Sequence, residues 1–211
     1  MYEPLHFRVE DLPTLHAFIR EQPLGLLVLT REGSATADAI PFALDGEAGP
    51  YGRLRAHVAR ANPLWRDVDG AEALVVFRGP DHYVSPGWYP SKAETGRVVP
   101  TWNYVMVQAR GRVKVQEGVD WIAAQTRELT DAHERAFTPV WSVDDAPDAF
   151  VEAQLRAIVG LEIEITDLRG KFKLSQNRSE QDRRGVAAGL AATGDAPDAL
   201  ALIRLQEGSG A

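Results

Sequence analysis

The alternation of apolar and polar residues predicts strands through the first half of the chain. Residues 24–30 form an almost unbroken apolar run of strand length, which favours a strand in the middle of a sheet. Residues 52–58 alternate and place Leu54, Ala56 and Val58 on one face. In all, the pattern predicts strands over residues 24–30, 35–43, 52–58, 72–78, 103–115 and 160–166.

Helical spacing and capping signals predict helices around these strands. Leu12, Leu15, Phe18 and Ile19 recur at the helical period, and Pro23 ends that helix. Ser179, with Asp182 three residues later, has the pattern of a helix start. The predicted helices cover residues 12–22, 119–135 and 147–157, and two more begin at Ser179 and at Asp195.

The order of these elements indicates the fold class. Strands dominate residues 24–115 and helices fill much of the remainder, without the regular alternation of a doubly wound sheet. We therefore predict a mainly β fold with helices (α+β), built as a small antiparallel barrel. A length of 211 residues fits one domain over 1–211, with helical additions at about 119–157 and 179–206.

The composition excludes several kinds of chemistry. The chain has no cysteine, so disulfides, thiolate metal sites and cysteine nucleophiles are ruled out. Its 5 histidines lie too far apart for a local metal motif, and no metal site is predicted. No apolar run approaches the roughly 18–20 residues of a membrane span, and the first residues do not resemble a signal peptide. A cytoplasmic protein without membrane contact is expected.

The charge of the chain is unevenly distributed. The net charge of −7 makes direct DNA binding doubtful, because duplex DNA binds basic surfaces. Residues 51–115 nevertheless carry 10 basic and 5 acidic side chains, whereas residues 116–170 carry 4 and 12. A basic block between acidic segments favours a local anionic ligand.

The basic block contains a first cluster of candidate residues, at positions 57–65. His57, Arg60 and Asn62 follow a predicted strand, and their nitrogen donors suit a phosphate group. Pro63 would fix the turn that orients them. The alternative is a surface turn that half-buries Trp65.

Two aromatic clusters follow. Residues 77–89 combine glycines, prolines and aromatic residues with Tyr83 and Ser85, and they could face a planar ligand or form a barrel corner. Residues 99–104 contain Thr101, Trp102 and Asn103. Thr101 and Asn103 could hydrogen-bond a heterocycle on which Trp102 stacks, or the segment could be an aromatic belt at the barrel rim.

A fourth cluster, residues 171–178, is mostly polar and precedes a predicted helix. Lys173, Gln176, Asn177 and Arg178 could contribute to an anion site near that helix N-terminus. The alternative is a solvated lead into the helix. Dinucleotide-binding, P-loop, zinc-protease and serine-hydrolase fingerprints are all absent from the sequence.

Together these stretches resemble the PaiB-type FMN-binding negative transcriptional regulators. The resemblance rests on residues 1–7 (MYEPLHF), 57–65, 79–89 with the motif YVSPGWY, 99–104 and 173–178 (KLSQNR), and it extends over nearly the whole chain. It implies a split β-barrel similar to the pyridoxamine-phosphate-oxidase-like flavoproteins. It also implies a homodimer with FMN at the subunit interface.

The resemblance assigns expected roles to the clusters. His57, Arg60 and Asn62 are expected near the FMN phosphate, and Thr101, Trp102 and Asn103 near the flavin ring or ribityl chain. The remaining candidate cofactor-binding residues are Tyr83, Ser85, Lys173, Gln176, Asn177 and Arg178. The leading functional hypothesis is an FMN-binding regulator. The alternatives are a flavin-dependent oxidoreductase or flavin reductase, and a related barrel that has lost FMN and serves as an interaction module.

Overall fold

The computed structural model describes residues 1–193 and 197–208, so Asp195, where the last helix was predicted to begin, lies outside the described residues. The strands are β1 (Arg8–Val9), β2 (Leu24–Arg31), β3 (Ser34–Pro41), β4 (Ala43–Asp45), β5 (Arg53–Ala59), β6 (Glu72–Val84), β7 (Thr101–Gln116) and β8 (Ile158–Lys173). The α-helices are α1 (Leu12–Glu21), α2 (Ser91–Thr95), α3 (Val119–Glu134), α4 (Asp148–Arg156), α5 (Glu180–Ala192) and α6 (Pro197–Gly208).

The predicted strands and helices are confirmed, with several differences in extent. The predicted strand over 35–43 is divided between β3 and β4, and β6 continues beyond the predicted residue 78 to Val84. The strand predicted over 160–166 is longer in the structure, because β8 continues to Lys173 and so includes residues 171–173 of the fourth cluster. Ser179 caps α5 as predicted, since its side chain accepts a hydrogen bond from the Asp182 backbone N–H at 3.2 Å.

The strands form one sheet in the order β3-β2-β6-β7-β8-β5-β4, and β1 pairs with β8. The pairs β2–β3, β2–β6, β4–β5, β5–β8 and β1–β8 are all antiparallel. Strands β3 and β5 also approach each other although they are not hydrogen-bonded neighbours. A sheet that curls without full closure is the arrangement expected of a split barrel.

The chain forms two compact units, each assembled from separated segments. The first unit contains residues 1–11, 78–107 and the described part of 169–211, and the second contains residues 12–77 and 108–168. Since the segments alternate along the chain, these units are not two consecutive domains. The prediction of one domain over 1–211 stays a prediction.

The core of the second unit follows the predicted alternation. Leu54, Ala56, Leu161 and Ile163 are fully buried, and β5 pairs with β8 so that Ala56 lies opposite Leu161. Gly111 allows a close approach in this unit, because a Cβ atom there would lie 2.1 Å from the Glu164 carbonyl oxygen. A side chain at that position would therefore clash with backbone. Among the described residues, no helix is long and apolar enough to cross a membrane.

Candidate functional site

Three cationic side chains are concentrated at the end of β8 and in the turn after it, all in the first unit. Lys171 and Lys173 lie two residues apart in the strand, so their side chains project from the same face. Their ammonium groups lie 5.2 and 6.0 Å from the centre of the Tyr104 ring. The Arg178 guanidinium lies 4.8 Å from the centre of the Tyr89 ring. We call Lys171, Lys173 and Arg178 the cation cluster.

The cation cluster has no neutralising carboxylate within the part of the chain that the structure describes. Lys173 donates hydrogen bonds to the Thr101 hydroxyl and to the Trp102 carbonyl oxygen, both of which are uncharged. Burial lowers the pKa of Lys173, and the charges of Lys171 and Arg178 lower it further. The charged form of Lys173 is therefore destabilised in the folded protein, and a bound anion would relieve this cost.

The turn after β8 is held by buried hydrogen bonds. Ser175 adopts a positive φ of 67°, which is uncommon for a residue other than glycine. Its hydroxyl donates to Asn103 Oδ1 at 3.1 Å, and Asn103 is 1% exposed. Gln176 accepts from the Leu174 N–H at 2.7 Å and donates to the Phe172 carbonyl at 2.6 Å. Asn103 and Gln176 thus shape the segment that carries Lys173 and Arg178.

An exposed pair of aromatic side chains also belongs to the first unit. The rings of Tyr83 and Trp102 have centres 6.0 Å apart and meet edge to face. These side chains are 43% and 52% exposed, so both retain free ring surface for a planar ligand. Asn177 is also exposed. Ser85 instead has a local role, because its side chain accepts a hydrogen bond from the Gly87 N–H at 3.1 Å.

The remaining expected site residues, His57, Arg60 and Asn62, belong to the second unit and have protein partners there. His57 Nδ1 lies 2.7 Å from Gln125 Oε1. The Asn62 side chain accepts a hydrogen bond from the Leu64 N–H at 2.9 Å and caps the short 3-10 helix Pro63–Trp65.

Arg60 is the most extensively engaged of these three residues. Its guanidinium donates to the carbonyl oxygens of Arg156 and Ile158 at 3.1 and 3.2 Å and pairs with Glu117 at 2.8 Å. The Arg60 carbonyl also accepts a hydrogen bond from the half-buried Trp65 ring at 3.0 Å. The turn thus has the features of the surface-turn alternative raised from the sequence.

Sequence reasoning missed Lys171 and Tyr104 as members of the site. The signal that could have found Lys171 is its spacing from Lys173, because two lysines separated by one residue share a face once the segment is a strand. Tyr104 has the same relation to Trp102, but on the neighbouring strand β7. Lys171 was overlooked because the predicted strand ended at residue 166, so residues 171–173 were not recognised as part of it.

Comparison with known proteins identifies the family. Residues 1–167 match the profile of a family described as "Putative FMN-binding domain". The chain belongs to this PaiB-type FMN-binding family. The protein "Protease synthase and sporulation protein PAI 2" of Bacillus subtilis is 32% identical over 98% of this chain and 97% of its own length. An uncharacterised protein of Emericella nidulans is 34% identical over 94% of each chain.

A solved structure supports the fold. The FAD and haem binding protein of Mycobacterium smegmatis superposes with a TM-score of 0.54 and 18% sequence identity, over 89% of this chain and 80% of the other. The predicted fold class, a split barrel of the flavoprotein type with added helices, is thereby confirmed. The family match supports a flavin cofactor. The matched profile ends at residue 167, before the cation cluster begins.

Proposed function

We propose that this protein binds FMN and that the cation cluster of the first unit holds the FMN phosphate. The observation that carries the proposal is the group of three cations without a described carboxylate partner. Lys173 and Arg178 would donate charge-assisted hydrogen bonds to the phosphate, and the buried Lys171 would add positive potential. When bound, a flavin supplies hydride or single-electron transfer.

The aromatic residues of the same unit suit the rest of the cofactor. Trp102 and Tyr83 offer exposed ring surface, which favours contact with a planar heterocycle. Asn103 acts as a positioning residue in this proposal, because its side chain is buried and binds Ser175. Gln176 positions the turn in the same way.

This proposal differs from the expectation that Arg60 and Asn62 bind the phosphate. Three nitrogens of Arg60 already donate to protein oxygens, and the Asn62 side chain already caps a short helix. A phosphate at Arg60 would have to compete with these partners. The lysines of the cation cluster have no ion-pair partner among the described residues, which supports the proposal that the phosphate binds there.

An FMN titration of Lys173→Gln tests the proposal. Loss of a hydrogen bond to a charged group costs about 1.5–3 kcal/mol, so the dissociation constant should rise about 10- to 150-fold. Absorbance or quenching of flavin fluorescence measures the binding. Lys92→Gln is the matched control, because Lys92 is an exposed lysine on α2 of the same unit. Equal affinities of the two variants would exclude Lys173 from the phosphate site.

We also propose that the protein is a homodimer formed through an open apolar face of the second unit. Leu24, Leu26 and Val28 project from the face of β2 opposite the core. Leu26 pairs with Val76 and Val28 with Leu74, so β6 extends the same face. Leu24 and Leu26 are 63% and 43% exposed, and a contiguous apolar surface of this kind commonly marks a protein interface. FMN at the subunit interface stays a prediction.

We further propose that the protein is a negative regulator, as its resemblance to PaiB-type regulators implies, and that it regulates without direct DNA contact. Helix α5 carries Arg183 and Arg184 beside Glu180 and Asp182; Arg184 pairs with Glu180, and the net charge of the chain is −7, which disfavours binding to duplex DNA. Fluorescence anisotropy with a random duplex at low salt should detect no binding. Affinity that falls steeply with added salt would contradict this proposal.

A further inference from the structure

A groove in the second unit lies between α3 and α4 and has a volume of about 230 Å³. Its apolar wall is formed mainly by Trp141, Phe150, Leu155 and Ile158. An apolar cavity of roughly 150 Å³ is large enough to bind benzene. The groove therefore has room for one aromatic ring with a small substituent.

The polar side chains that line this groove are His57, Thr126, Arg127, Thr130 and Gln154. His57 Nδ1 lies 2.7 Å from Oε1 of the fully buried Gln125. An amide oxygen only accepts hydrogen bonds, so Nδ1 of a neutral His57 carries the hydrogen and Nε2 carries the lone pair. Nothing in the described part of the chain donates to Nε2. The Thr126 hydroxyl is buried and has no hydrogen-bond partner in the same residues.

The charges of the groove favour a neutral ligand. No carboxylate side chain lines it among the described residues. Its cation, Arg127, pairs with Asp144 at 2.6 Å, and the hydrogen bond from Arg127 lowers the pKa of Asp144. Asp144 therefore remains ionised at neutral pH and neutralises Arg127. Neither a cationic nor an anionic ligand would find an unpaired charge here.

We propose that this groove binds a neutral single-ring aromatic molecule with one hydroxyl group, a ligand of the phenol class. Its ring packs against Trp141 and Phe150, and its hydroxyl donates to His57 Nε2. The Thr126 hydroxyl oxygen is buried away from solvent, so His57 is the polar partner of the ligand. Every residue involved belongs to the second unit, and none belongs to the cation cluster.

The choice of a small molecule over a protein partner rests on the polar groups. The face formed by β2 and β6 is an apolar sheet surface, whereas this groove combines apolar walls with His57 and a few other polar side chains. Apolar lining with a few convergent polar groups is typical of small-molecule sites.

The test uses 4-ethylphenol as the probe and its methyl ether, 4-ethylanisole, as the comparison. Amide chemical shifts of the full chain are followed in a titration, with and without FMN. We expect saturable binding whose shifts centre on α3 and α4. The ether should bind about three- to tenfold more weakly, because it has no hydrogen to donate. Absence of binding, or equal binding of the two probes, would overturn the proposal.

Variants of α3 locate the site. Ala123 lines the groove and Ala124, the next residue, is exposed outside it. Ala123→Phe should abolish binding of 4-ethylphenol, whereas Ala124→Phe should leave it unchanged. Full affinity in Ala123→Phe would show that the probe binds elsewhere.

Discussion

At the scale of single residues, Arg60 and Lys173 show that two cationic side chains can have different roles because their hydrogen-bond partners differ. Both are cations selected from the sequence as cofactor-binding candidates, Arg60 for the phosphate and Lys173 for an anion site before α5. Arg60 has three acceptors within the second unit, including a carboxylate, whereas Lys173 has two uncharged acceptors within the first. A charge that is already compensated stabilises the fold, while an uncompensated one attracts an ion from solution.

This difference predicts the behaviour of Arg60→Ala. The variant loses two hydrogen bonds to main-chain carbonyls and a partly exposed ion pair with Glu117. Since the exposed ion pair contributes little, we expect a loss of about 1–3 kcal/mol in the free energy of unfolding, mainly from the carbonyl contacts. FMN affinity should stay within twofold of the unmutated protein. Urea unfolding and an FMN titration measure the two quantities.

Arg66→Ala is the control for that prediction. Arg66 is exposed and lies 5.8 Å from the centre of the same Trp65 ring that Arg60 approaches at 5.8 Å. Its removal takes away a cation and one ring contact but no hydrogen bond that holds the turn, so stability should change little. If Arg60→Ala kept its stability but lost FMN affinity, the phosphate would have to be placed at Arg60.

The sequence predicts which residues can bind an anion or cap a helix better than it predicts which residues they contact. Lys173 and Arg178 are recognisable in the sequence as anion-binding types, and Ser179 as a helix cap. The hydrogen bond of Asn103 and the three acceptors of Arg60 involve residues 57 to 98 positions away. A local sequence pattern cannot predict contacts between residues so far apart in the chain, because these contacts depend on how whole strands and helices pair and pack.

At the scale of elements, the alternation of apolar and polar residues predicts the positions of strands better than it predicts their ends. Strand β6 was predicted to end at residue 78 and continues to Val84, although Asp81 and His82 lie in that extension. Polar residues are tolerated there because many of the positions are only half-buried. The same misjudgement at residues 171–173 hid the shared face of Lys171 and Lys173.

Strand β2 shows a second limit of the apolar pattern. Its unbroken apolar run predicted a central strand, and β2 does lie between β3 and β6. The run is apolar for two reasons, however: Leu27 and Leu29 face the core, while Leu24 and Leu26 face an open surface. A sequence cannot separate burial within one chain from burial against another, because both select the same side chains.

At the scale of the whole molecule, the fold class follows from the order of elements, whereas the assembly of the units does not. Each unit collects segments that are far apart in the chain, and the three long strands β6, β7 and β8 contribute residues to both units. The net charge of −7 consequently says little about ligand preference. The three charges of the cation cluster lie at the end of β8 and in the turn after it, within a protein that is acidic overall.

The homodimer is the prediction that belongs to this scale. Leu26→Glu places a carboxylate in the middle of the open face of β2 and β6, and an unpaired charge is costly to bury in an apolar interface. We expect the dimer dissociation constant to rise at least about 100-fold, which corresponds to roughly 3 kcal/mol. Sedimentation velocity over a range of concentrations measures it. Val119→Glu is the matched control, because Val119 is 53% exposed at the start of α3 and lies outside this face. An unmutated protein that sediments as a monomer at every concentration would refute the dimer, and a Leu26→Glu dimer as stable as the control would place its interface elsewhere.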